Sequence, residues 1–165
     1  MKRRSILLLL LLCLLLTGCN TGKADPFFAL RESYTAEVEG ELEGMHFCAL
    51  VEAGERSAAG LLPVTVTFYA PDELLDTKIM RKADGEIVAF SGNTAVTVSE
   101  NAFLALLDLL EPCEEIGEIS LNDEGRSVVT CDGFSMEFLF DGTPYSVQKE
   151  GVTAKIIRFK KGRDQ

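Results

Sequence analysis

The chain contains no tryptophan and a single histidine, and its five cysteines include no CxxC pair. These scarcities remove whole classes of chemistry. A three-histidine metal site is out of reach, and the Cys/His spacings of zinc sites are absent. His46 reads as a solvated residue at a strand start, which does not suit the base of a triad. The motifs GxSxG, HExxH, GxxxxGK[ST] and GxGxxG are missing. Ser146 and Lys149 match SxxK by spacing, but that motif needs a helix to bring Ser and Lys together. Pro144 and the alternating pattern around it indicate a strand, which puts the two side chains on opposite faces. Asn122-Asp123-Glu124-Gly125 is too short for an EF-hand loop and reads as a turn. The expectation is a non-enzymatic protein with no metal and no cofactor.

Positive charge is also scarce. Sixteen basic residues face 26 acidic ones, for a net charge of −10. Nucleic acid is disfavoured as a partner, because phosphate contacts need a basic surface.

The longest apolar run lies at the beginning of the chain. Lys2, Arg3 and Arg4 precede an apolar stretch over residues 6–16. A bilayer span needs about 20 residues, so this stretch fits a secretory leader instead. It ends in Leu16-Thr17-Gly18-Cys19, which resembles the lipobox of bacterial lipoproteins. That resemblance implies cleavage between Gly18 and Cys19 and a diacylglyceryl group on the Cys19 thiol. The expected location is the extracytoplasmic side of the cell membrane, held by lipid. Two acyl chains give durable attachment where one does not. The implied organisation is a leader over 1–18, a lipidated tether over 19–25, one β-rich domain over 26–160 and a basic tail over 161–165. Loss of the leader takes the net charge to −13, from 13 basic and 26 acidic residues.

One ordinary domain of about this size buries roughly two-thirds of its unfolded surface, so no metal or disulfide is required to hold it. Besides the anchor, Cys48, Cys113 and Cys131 remain in the mature chain. One disulfide with a free thiol fits the count, and so do three buried thiols. The buried-thiol arrangement is the expectation.

Asp25-Pro26 predicts a short helix to about Glu32, with Asp as N-cap and Pro at the first helical position. From Tyr34 the period changes to two. Tyr34, Ala36, Val38 and Leu42 share one face, and Glu37, Glu39, Glu41 and Glu43 the other. Ten further strands follow, punctuated by turns such as Asp84-Gly85, Asp132-Gly133 and Asp141-Gly142. Between the sixth and seventh strands, residues 100–111 read as one α-helix, opened by Ser99 and stopped by Pro112. Seven of the eight residues from 103 to 110 are apolar, so this helix should be surrounded rather than amphipathic. The predicted class is α+β, mainly antiparallel β. About eleven strands form a curved sheet or half-open barrel, with a short N-terminal helix and one apolar mid-chain helix.

The opening pair Ala36-x-Val38-x-Gly40-x-Leu42-x-Gly44-x-x-Phe47-x-Ala49, with Val64-x-Val66-x-Phe68-x-x-Pro71, resembles the LolA/LolB and LppX group of envelope carriers. That resemblance implies an apolar cavity between sheet and helix for a lipid or other apolar ligand. Phe47, Phe68, Phe103, Leu107 and Phe138 are its candidate lining. The alternative is a filled core in an envelope structural or protein-interaction module. The glutamate stripe reads as a solvated face or as an attractor of Ca²⁺ or a basic partner. Lys155, Arg158, Lys160, Lys161 and Arg163 read either as protection of an edge strand or as a surface for anionic lipid or an anionic polymer. The expected partners are the membrane, an apolar ligand, and an envelope protein or polymer. The expected state is a monomer.

Overall fold

The computed structural model describes residues 25–97, 102–149 and 151–162. Gly18, Cys19, the helix start at Ser99 and Glu100, and Arg163 lie outside the described residues.

Eleven strands form one antiparallel sheet. In chain order they are β1 (Tyr34–Leu42), β2 (Met45–Ala53), β3 (Val64–Ala70), β4 (Thr77–Arg81), β5 (Ile87–Ser91), β6 (Thr94–Thr97), β7 (Glu118–Leu121), β8 (Ser127–Cys131), β9 (Phe134–Phe138), β10 (Pro144–Lys149) and β11 (Val152–Lys161). Their spatial order is β6-β5-β4-β3-β2-β1-β11-β10-β9-β8-β7. The chain starts at the centre, meanders to one edge, crosses to the other edge, and meanders back until β11 closes on β1.

The alternation in the sequence sets the two faces. Tyr34, Ala36, Val38 and Leu42 of β1 are buried, as are Phe47, Ala49, Val51 and Ala53 of β2. Val64, Val66 and Phe68 continue that face on one side, and Val152, Ala154, Val147 and Met136 on the other. Register fixes the match, because a one-residue slip would turn every one of these side chains to solvent. Gly40 sits where β1 comes closest to β11. A Cβ there would lie 2.3 Å from the Thr153 carbonyl oxygen and 2.8 Å from the Ala154 Cα.

Both helix expectations are corrected. Where the sequence predicted a helix to about Glu32, the described residues form a 3-10 turn, Phe28–Leu30. Asp25 caps a turn and not an α-helix: its carboxylate accepts the Phe27 N–H at 3.0 Å and its carbonyl accepts the Phe28 N–H at 3.1 Å. Its carboxylate also pairs with Arg31, which holds Asp25 below the usual carboxylate range.

The mid-chain segment forms a 3-10 stretch, Ala102–Leu106, followed by turns. Its amide bonds run back three residues: Leu107 to Leu104, Leu109 to Leu106 and Glu111 to Asp108. The segment belongs to the connection between the two edges of the sheet, β6 and β7, and its leucines are buried on the inward face. Residues 102–113 are called the strap below.

β11 pairs on both sides, with β1 and β10, so its lysines do not guard an edge. The edges are β6 and β7, four residues each and exposed throughout. Short edge strands limit unwanted pairing with other chains. Among the described residues, no helix is long and apolar enough to cross a membrane.

Candidate functional site

The strap lies over the inward face of the sheet, where the sequence reading placed a candidate cavity. Leu106, Leu107, Leu109 and Leu110 are 0–3% exposed. These leucines join the inward-facing residues of the sheet in one buried apolar cluster. Phe103 packs edge-on to Phe68, with ring centroids 5.4 Å apart. On the other half of the sheet, Phe27 packs against Phe138 at 5.7 Å and Phe134 at 6.1 Å.

The five candidate lining residues therefore all belong to, or pack against, a single apolar core. Phe47 and Phe68 are each 1% exposed, Phe138 2% and Leu107 3%. Side chains with so little accessible surface have no water-sized void against them. Phe103 alone is half-buried.

Two further sets of contacts fasten the strap. Arg81, at the end of β4, reaches it from one half of the sheet. Its Nε donates to the Leu62 carbonyl at 3.0 Å, one terminal nitrogen pairs with Asp108, and the other donates to Glu111 at 2.9 Å. Burial works against the Arg81 charge, but the bonds to Glu111 and Asp108 outweigh it and raise its pKa. Arg56, from the β2–β3 loop, reaches Glu111 at 3.5 Å and the Gly60 carbonyl at 2.9 Å. From the opposite half, Lys149 donates to the Asp108 carbonyl at 3.0 Å. Asp108 and Glu111 thus fix the strap to both halves of the sheet. Sequence reasoning treated them as ordinary helix residues. The signal was their place within and just after the apolar run over 103–110.

The second fastening is covalent. Cys113 and Cys131 form a disulfide that ties the end of the strap to β8, and Cys48 is a free, half-buried thiol on β2. This corrects the expectation of three buried thiols. Cys131 ends its strand with its side chain toward the strap, whereas Cys48 lies on the outward face, and no pattern in the sequence marks that pairing.

The outward face carries the charge. Register sets Glu37 opposite Arg158, Glu39 opposite Lys155 and Thr35 opposite Lys160. Arg158 bonds Glu37 at 2.9 Å. The glutamate stripe and the basic strand, separate features in the sequence, lie side by side as cross-strand partners. Lys155 and Arg126 both lie over the Tyr145 ring, at 5.4 and 3.8 Å. The Lys155 ammonium beside its hydroxyl lowers the pKa of Tyr145. Lys161 is placed differently, over the Phe28 ring at 4.4 Å. His46 is exposed opposite Glu41. Ser146 pairs with Lys155 on the outward face while Lys149 points inward to Asp108, so the two ends of the SxxK spacing stand apart. Among the described residues, no group of three His, Cys, Asp or Glu side chains is placed to hold a metal.

The class these features define is an open antiparallel meander closed on one face by a crossover strap. No protein-family model matches the chain, and no curated protein matches it in sequence. Among solved structures, an uncharacterized conserved protein from Thermus thermophilus is similar, with a TM-score of 0.52 and 16% identity over 83% of each chain. MucB aligns with a TM-score of 0.47 and 12% identity, over 87% of this chain and 61% of MucB. A chain of the Pseudomonas aeruginosa MucA/MucB complex aligns at 0.44 and 13% identity, over 84% of this chain and 55% of that one. The chain thus spans a little over half the length of these two matched chains. The likeness to the Thermus protein supports the fold and nothing further.

Proposed function

We propose that this chain is a lipid-anchored, non-enzymatic protein of the bacterial envelope that acts through its surface on another envelope protein. The observation that carries the reading is the closure of the inward face. Four of the five residues expected to line an apolar cavity, Phe47, Phe68, Leu107 and Phe138, have almost no accessible surface, and the strap over the inward face is held by Arg81, Lys149 and a disulfide. The disulfide also suits an oxidising, extracytoplasmic compartment. The outward face is open to a partner. A cleft of about 400 Å³ there is lined by Asp76, Lys78, Met80 and Phe90, and one of about 390 Å³ by Glu37, Glu39, Cys48, Tyr69 and Ile157.

The competing function is carriage of an apolar ligand, as the carrier resemblance implies. A carrier of this architecture has to lift the strap from the sheet. Native mass spectrometry of the full-length chain, expressed in a bacterium and extracted in mild detergent, separates the two. The expected species is the chain from Cys19 onward bearing covalent acyl groups and no further lipid. A stoichiometric non-covalent lipid would overturn the closed-interior reading, and an unmodified Cys19 would overturn the anchor.

A further inference from the structure

Three apolar side chains at one end of the sheet are exposed. Phe140 is fully exposed, Phe28 is 59% exposed and Leu139 is 40% exposed. Phe140 stands at the tip of the β9–β10 hairpin. That tip is held by bonds from Leu139 N–H to the Thr143 carbonyl at 2.8 Å and from Gly142 N–H to the Leu139 carbonyl at 2.9 Å. Asp141 adds a third, accepting the Thr143 N–H at 2.9 Å. An ordered turn therefore presents the ring to solvent. Phe28 and Phe140 line the same cleft of about 470 Å³, together with Asp25, Pro26 and Lys161.

The register places this cleft in the molecule. Tyr34 pairs with Lys161 and Pro144 with Phe138, and the Gly162 N–H bonds the Ser33 carbonyl at 2.7 Å. The start of β1, the end of β11 and the β9–β10 tip are thus at one end of the sheet. Asp25 itself lines the cleft, and Cys19 stands six residues before it. Six residues reach at most about 21 Å at roughly 3.5 Å each.

From this placement we infer that Phe28, Leu139 and Phe140 form a second membrane contact, inserted into the bilayer interface beside the lipid anchor. The inference rests on the anchor reading for its occupant. The local chemistry suits an interface: two phenyl rings in one cleft, a leucine next to Phe140 in the chain, and a lysine whose ammonium sits above the Phe28 ring. Charge near the cleft is balanced. Asp25 is paired with Arg31, and Lys161 and Asp141 line the cleft together with opposite charge. Insertion should therefore depend on apolar burial and little on anionic lipid. Its consequence is orientation. Two attachments fix the sheet relative to the bilayer, where one tether would leave it free to turn.

The absence of tryptophan makes the test direct. Phe140→Trp introduces a single tryptophan at a fully exposed position that the fold does not need. The full-length variant, processed in a bacterium and reconstituted into phosphatidylcholine vesicles, is compared with and without bromine on the acyl chains. Phe28→Trp is the second reporter and Val96→Trp, on edge strand β6, the distal control. Intact-mass measurement of each sample reports whether Cys19 is acylated. The expected result is roughly twofold quenching by brominated lipid at positions 28 and 140 and none at 96, given insertion to the headgroup–acyl boundary. An acylated chain unquenched at both 28 and 140 overturns the contact and leaves the anchor standing. An unacylated chain still quenched there overturns the anchor and leaves the contact. An unacylated, unquenched chain overturns both.

Discussion

The two faces of this sheet use the same strands and differ in almost everything else. The inward face holds Tyr34, Val38, Phe47, Val51, Phe68 and Met136 under a leucine-rich strap, with accessible surface near zero. The outward face, built from the alternate residues of those strands, holds glutamates, lysines, Arg126, Tyr145 and one free thiol in shallow clefts. On the inward side, Arg81, Arg56 and Lys149 fasten the strap through Asp108 and Glu111. The lesson is that stability and surface recognition have been assigned to opposite sides of one layer, so changes on each should have separable consequences.

The largest effect is expected beneath the strap. Leu109→Ala should cost about 3 kcal/mol in urea unfolding, from lost transfer energy and a residual cavity. Leu50→Ala, on the outward side of β2, should cost less than about 1 kcal/mol, because its side chain is already half-solvated. Equal losses would erase the difference between the faces. Next comes the covalent fastening. Cys113→Ser opens a link between residues 18 apart, worth about 3 kcal/mol in the loop-entropy account. A denaturation midpoint unchanged by reductant in the parent protein would show that this link does not constrain the strap.

Titration sharpens the comparison without mutation. Burial raises the pKa of the Tyr34 hydroxyl far above its ordinary value of 10, while Lys155 draws that of Tyr145 below it. Because the Tyr34 pKa is raised on folding, its contribution to stability is complete below about pH 10 and is lost as pH rises beyond it. Absorbance titration should show one tyrosine ionising early and one only on unfolding. Three tyrosines titrating together near pH 10 would contradict the assignment. The smallest effect belongs to the outward ion pair. Arg158→Gln should change stability by no more than about 1 kcal/mol, since Arg158 and Glu37 are both substantially exposed.

Much of the architecture could be read from the residues. Strict alternation at Tyr34, Ala36 and Val38, and again at Phe134, Met136 and Phe138, marks strand and inward face together, and Gly-containing turns mark the reversals. The strap was legible as something surrounded, from its run of leucines, but not in its conformation. Apolar residues all round leave no periodicity to distinguish an α-helix from a 3-10 stretch. The Cys113–Cys131 link and the Arg81 contacts were hidden because each joins separate elements of the chain. Conversely, the glutamate stripe and the lysine-rich last strand were each visible, but only the closure of β11 on β1 makes them neighbours.

The central claim is that the strap stays shut over a filled interior. Amide hydrogen exchange at Leu107, Leu109 and Glu111, whose N–H groups are bonded within the strap, tests it most directly. Measured with and without phospholipid micelles, these amides should exchange only through global unfolding, at rates matching the central strands β1 and β11 and unchanged by lipid. Exchange through a separate, cheaper opening that lipid enhances would contradict the claim and restore the carrier reading.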